Sequence, residues 1–145
     1  MTKITLQIKG LDNLVKRLDN YNKNLEAKLA DAIQETASNL AGLAKRNCSP
    51  WATGDLFRSI QPVNEGDPLT WFVRIDTPYA AYVEFGTGQG FQPMDEDEWM
   101  EFAALFKGAN QDHKGMEARP FLYPAFKEIE PLFKKDMINV LKEFK

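Results

Sequence analysis

The sequence is poor in the residues from which many enzymes build their chemistry. One cysteine, Cys48, and one histidine, His113, occur in 145 residues. A lone cysteine cannot close an intramolecular disulfide, so a reducing, cytosolic site of assembly is the simpler expectation. Without partners at ligand spacing, neither a zinc site nor a Cys–His nucleophile is supported. Ser49 and Ser59 lack the glycine-flanked turn of a hydrolase nucleophile. No apolar run approaches the ~20 residues a membrane helix needs, and "MTKITLQIKG" lacks the apolar core of a signal peptide. Positive charge is not in excess either: 18 Lys and Arg stand against 21 Asp and Glu, for a net charge of −3. That balance argues against tight, non-specific grip on nucleic acid, which needs clustered cations. The chain reads as soluble and intracellular.

What is present is enough apolar material for a core, 43% of the residues. A chain of this length buries ~68–70% of its unfolded surface, and one domain over residues 1–145 is the expectation. "KITLQI" alternates, with Ile4, Leu6 and Ile8 on one face, and predicts a short strand ended by Gly10. Asp12 is a fitting N-cap for "LDNLVKRLDNY", whose Leu11, Leu14, Val15, Leu18 and Tyr21 keep helical spacing. After a break or kink near Asn22 and Asn24 the pattern resumes at Leu25, Leu29, Ala32, Ile33, Thr36, Ala37, Leu40 and Ala44. Its alanines allow close approach to a sheet or to another helix.

Pro50 interrupts that helix. Thr53 is then a good N-cap for the turn begun by Gly54, with Asp55 at its positive end. "SIQPVNEGDPLTWFVRID" predicts two strands joined at "NEGDP", with Pro62 marking an edge or a bulge. "TPYAAYVEF" is read as a third strand, although Pro78 could equally open a helical turn. From Gly86 to Glu117 the composition turns polar, and a long, partly mobile excursion at about residues 88–117 is expected. It contains one short helical pattern, Trp99, Phe102, Ala103 and Phe106. "FLYPAFKEIEPLFKKDMINVLKEF" closes the chain as a clear amphipathic helix, with Pro124 in its first turn and a kink expected at Pro131. The fold class is therefore α+β: a small antiparallel sheet packed against a long N-terminal helix and a C-terminal amphipathic helix.

Few residues qualify for chemistry. The glycines of "FGTGQG" lack both the dinucleotide spacing and the Gly-Lys-Ser/Thr of a phosphate loop, so a turn is the better reading. "DEDE", Asp95 to Glu98, lacks the alternate-ligand spacing of a calcium loop and suits a helix N-terminus. Glu84 could be a general base, but no second acid or histidine stands at motif spacing. A partly buried carboxylate needs a cation or hydrogen-bond donors. Arg58 or Arg119 is the expected partner. No cofactor and no metal is expected. The loop aromatics Phe91, Trp99, Phe102 and Phe106 point to protein partners. The rival readings are an enzyme such as a hydrolase, which would need clustered acids or a metal, and a small DNA-binding module, which would need a basic face.

Four blocks in order, "GLDNLVKRL", "SPWATGDLFRSI", "YAAYVEFGTG" and "ARPFLYPAF", resemble the tail-completion or head–tail joining proteins of lambdoid siphophages and their prophages. The matching motifs fall on Gly10–Asp12, Pro50–Ile60, Tyr79–Thr87 and Pro120–Ala125. The chain departs from the family pattern between Gly88 and Glu117, where many relatives are shorter. The resemblance implies a non-enzymatic virion protein at the head–tail junction. It implies a homo-oligomeric ring, six-fold by preference, around DNA that passes without specific binding. Its other partners would be neck or connector proteins and the tail-tube or tail-terminator protein. It makes Thr53, Gly54, Arg58, Tyr82, Glu84, Gly86, Arg119, Pro120 and Phe121 structural or interaction residues, and gives the excursion the partner contacts.

Overall fold

A computed structural model of the chain describes residues 4–7, 23–48, 54–91, 97–105 and 114–143. Within these, β1 spans Ile4–Gln7, α1 Lys23–Cys48, α2 Gly54–Ser59, β2 Ile60–Asn64, β3 Trp71–Ile75, α3 Ala80–Phe85, α4 Asp97–Ala104 and α5 Leu122–Glu143. A 3-10 turn occupies Gly88–Gly90. The helix predicted around residues 11–21, its Asp12 cap, the break at Pro50 and the Thr53 cap lie outside the described residues.

The sheet is antiparallel with β3 in the centre, in the order β1-β3-β2. Ile4 and Ile60 both face Ile75 across the two ladders, and all three are buried, so one row of isoleucines crosses the core face. Pro62 stands on the edge strand β2, where its missing N–H deprives no further neighbour of a hydrogen bond. The predicted turn between β2 and β3 is held by its own side chains. Asn64 Oδ1 accepts from the Gly66 N–H at 2.8 Å, and Asp67 Oδ1 accepts from the Leu69 N–H at 2.9 Å. These short side chains stand in for backbone turn bonds. Gly66 takes a positive φ of 106° there.

Helix α1 buries the stripe Leu25, Leu29, Ile33, Thr36, Ala37, Leu40, Ala41, Ala44 and Cys48. Its helical spacing follows the predicted one, and the Thr36 hydroxyl is satisfied by the Ala32 carbonyl at 2.8 Å. The alanines lie in the half that meets the sheet, where small side chains allow close packing. The first half joins a second cluster, Leu25, Leu29, Ile33, Leu69 and Met137, beneath α5. Helices α1 and α5 run antiparallel, with ion pairs Lys28–Glu143 and Arg46–Glu128 near the two ends. All four side chains are more than half exposed, so each pair contributes ~0–1 kcal/mol, and burial decides the packing. Helix α5 continues through Pro131 to Glu143. Leu132, an apolar residue of this amphipathic run, is 51% exposed.

Candidate functional site

Within "TPYAAYVEF" the stretch Ala80–Phe85 is helical, and the strand reading is corrected. Ala80, Ala81, Glu84 and Phe85 are buried together, a one–four–five spacing that only a helix places on one side. Nearly every position in this run is apolar or aromatic, so alternation offered no contrast from which to read a period. Two adjacent alanines favour a helix, and Tyr79 at φ −98°, ψ 0° starts the turn.

This helix drives Glu84 into the core, where it is fully buried. Its carboxylate makes three hydrogen bonds to the start of α5. Oε2 accepts from the N–H groups of Phe121 at 2.8 Å and Leu122 at 2.9 Å. Oε1 accepts from the N–H of Tyr123 at 2.8 Å. The first four N–H groups of a helix have no partner within it. Counting Phe121 as the N-cap, those groups belong to Phe121, Leu122, Tyr123 and position 124. Proline at 124 has no N–H, so one carboxylate satisfies every orphan donor of α5. The cap residue itself, Phe121, is buried and has no polar side chain to do this. The Phe121 carbonyl accepts from Asn47 Nδ2 at 3.1 Å, which ties the same point to α1.

The expected arginine partner is thus replaced by backbone donors. Arg58 instead pairs with Asp55 one turn away at 2.8 Å, both 74% exposed. Arg119 joins the site through its backbone, its N–H donating to the Val83 carbonyl at 2.8 Å. A helix N-terminus carries about half a positive charge, which is why amides can do a cation's work here. Burial pushes the Glu84 pKa up, and the N–H donors of Leu122, Phe121 and Tyr123 pull against it without cancelling it. Cys48 lies near enough to feel this charge. Its thiol is pushed up to about 12, first by burial and then by Glu84.

After α3 the chain enters a backbone clasp. The Thr87 N–H donates to the Met116 carbonyl at 2.8 Å, and the Met116 N–H returns to Thr87 Oγ1 at 2.9 Å. The Ala118 N–H donates to the Gly90 carbonyl at 3.1 Å. The two ends of the excursion are therefore fastened together at its base. Gly86 at φ 73° and Gly115 at φ 63° are left-handed, and a Cβ on either would collide with facing backbone. The glycines serve close approach rather than phosphate binding.

Tyr82, on the opposite side of α3 from the core, is 40% exposed, and Pro120 is half-buried beside the fully buried Phe121. Gly54 opens α2, where a Cβ would meet the Arg58 guanidinium. In the excursion, Phe91 is half-buried and packs on the core, and Ala103 of α4 is wholly inside it. The excursion thus contributes side chains to the core. Trp99 and Phe102 lie on α4 with side chains outside the described ones, and Phe106 and His113 fall outside the described residues. Sequence reasoning missed Asn47, Thr87 and Gly115. Thr87 stood inside a quoted motif, whereas nothing local marks Asn47 or Gly115, whose contacts are far away in sequence.

Among the described residues no group of three or more His, Cys, Asp or Glu is placed to hold a metal ion. No described helix is long and apolar enough to cross a membrane. With both oxygens engaged and no exposed surface, Glu84 has no face to offer a substrate. The site is a joint: one acid fixes where α5 begins, and the clasp beside it fixes where the excursion leaves and returns.

No curated protein and no solved structure matches the chain significantly. One family model does, over residues 12–86, under the description "Bacteriophage HK97-gp10, putative tail-component". The matched stretch is just over half of the chain and ends at Gly86, where the clasp begins. The chain belongs to the HK97-gp10-like family of bacteriophage tail components.

Proposed function

We propose that this protein is a non-enzymatic structural component of the virion at the head–tail junction, completing the tail or joining it to the head. Membership of a tail-component family supports the structural role. The observation that carries it is the fate of Glu84. The acid best placed by sequence for chemistry is fully buried and caps a helix. In this reading copies of the chain form a ring around the DNA path, six-fold by preference, against the connector and the tail-tube or terminator protein. A net charge of −3 suits a surface past which DNA slides without being held.

Exposed apolar side chains supply contact surface: Phe57 on α2, Tyr82 on α3, Ile138 on α5, and Leu105 just after α4, which is 76% exposed. Within the excursion, Met100 and Leu105 are the partner-facing positions, while Phe91 and Ala103 keep it on the core. The test is electron microscopy of particles assembled without the protein. Separate filled heads and finished tails indicate joining, and tails of uncontrolled length indicate completion. Normal particles in full yield would overturn the proposal.

A further inference from the structure

Between α1 and α5 lies an open groove of about 360 Å³. Ala32, Ile129, Leu132 and Phe133 line it together with the polar side chains of Thr36, Asn39 and Asn139. The charged side chains that line it are all acidic: Glu35, Asp136 and Glu143. Glu143 is paired with Lys28. Glu35 and Asp136 are exposed and have no ion-pair partner among the described residues. The groove therefore offers apolar patches among hydroxyl and amide groups, with two carboxylates that have no cation beside them.

A complementary feature sits farther along α1. The Lys45 ammonium lies 5.6 Å from the centre of the Phe57 ring, and Phe57 is 44% exposed. Lys45 has no carboxylate partner among the described residues. An exposed ring carrying a cation is the kind of anchor that suits a partly apolar groove whose charged side chains are all acidic. One copy cannot satisfy itself. Lys45 is ten residues from Glu35 along a rigid helix, roughly 15 Å.

We infer that the groove receives the Lys45–Phe57 knob of a second copy of this chain, in a head-to-tail contact. Such a contact leaves one groove and one knob open at the ends, so it propagates until it closes into a ring or runs on as a filament. The inference rests on the assembly reading above and gives it a specific surface.

The test is disulfide trapping in assembled particles carrying Lys45→Cys with Asp136→Cys. The native Cys48 is fully buried and stays out of the reaction. Mild oxidation should give a ladder of covalent oligomers from the double variant and none from either single variant. Lys45→Glu should weaken association about tenfold, and adding Asp136→Lys should restore it. Particles that contain the chain but yield no ladder would overturn this contact while leaving the structural role standing. So would a dimer from one single variant, which would mean a symmetric contact, or a cross-link from position 136 to a different protein. Particles lacking the chain would overturn the structural role itself.

Discussion

Replacing Glu84 by alanine removes the acceptor for three N–H groups at the start of α5. Phe121 and Leu122 are fully buried, so water cannot readily take its place. Each buried donor left unpaired costs ~1–3 kcal/mol, and an N-cap alone contributes ~0.5–2. Against this, alanine removes the cost of holding a charge in the core, itself several kcal/mol. The net loss is about 3–5 kcal/mol, a large share of the ~5–15 kcal/mol that a domain has. For a chain of this size it lowers the melting temperature by roughly 10–15 °C. Glutamine at 84 keeps one oxygen, which can still accept from Phe121 and Leu122, and turns an amide NH2 toward the Tyr123 N–H. The Tyr123 N–H is then unpaired at ~1–3 kcal/mol and the amide N–H groups face it as further donors, but two of the three backbone donors stay paired and no cavity forms. Urea unfolding of wild type, Glu84→Gln and Glu84→Ala should give that order of stability. Amide hydrogen exchange should show the start of α5 loosening first. Alanine within ~1 kcal/mol of wild type, or glutamine worse than alanine, would refute the reasoning.

Gly86→Ala and Gly115→Ala should each destabilise by about 2–3 kcal/mol, since left-handed backbone and a colliding Cβ act together. Gly42→Ala should instead stabilise by up to ~1 kcal/mol, because the site is mid-helix with open space around it. Equal effects at the two kinds of site in thermal melts would be evidence against this account of the clasp. Cys48, buried and with its pKa pushed up to about 12, should resist a thiol-reactive disulfide reagent at pH 8 until the chain unfolds. Fast labelling of folded protein would contradict its placement. The raised native pKa of Glu84 means the folded state holds this proton more tightly than the unfolded state. Its contribution to stability is therefore full below the ordinary carboxylate range and falls as pH rises through the native value. Glu84→Gln should lack that falling slope in unfolding curves taken across mildly acidic pH, and an identical slope would show that Glu84 is not its source.

The sheet, α1 and α5 were legible because their apolar positions repeat against polar ones. Trp71, Val73 and Ile75 alternate along β3, with Val73 and Ile75 buried, and the α1 stripe keeps its rhythm over 26 residues. Segment 80–85 was not legible, since a run apolar on both sides fits either period. The pairing of Glu84 failed for a related reason. A sequence displays the side chains able to answer a buried acid, but the N–H groups that do so here carry no letter of their own. Only proline shows, as the letter for an absent N–H, and by itself Pro124 says only that a first turn tolerates it. Glycine content speaks only of turns, whereas Gly86 and Gly115 are needed by backbone that faces them from across the clasp.

These corrections bear on one another. The block around Tyr79–Thr87 and the block around Pro120–Ala125 are two halves of one joint, separated by an excursion whose ends are clasped between them. Glu84 reaches the α5 end of the second block, while Thr87 holds Met116 just ahead of it. Once both are made, the position of α5 no longer depends on the length of chain between residues 91 and 114. A joint of this kind lets the intervening segment vary while α5 stays in place against α1. The groove between those helices then keeps its shape, which the proposed contact between copies requires. Loss of Glu84 should therefore be felt twice, in stability and in the geometry of the groove. A Glu84→Gln protein that still folds at low temperature should trap the 45–136 contact less efficiently than wild type.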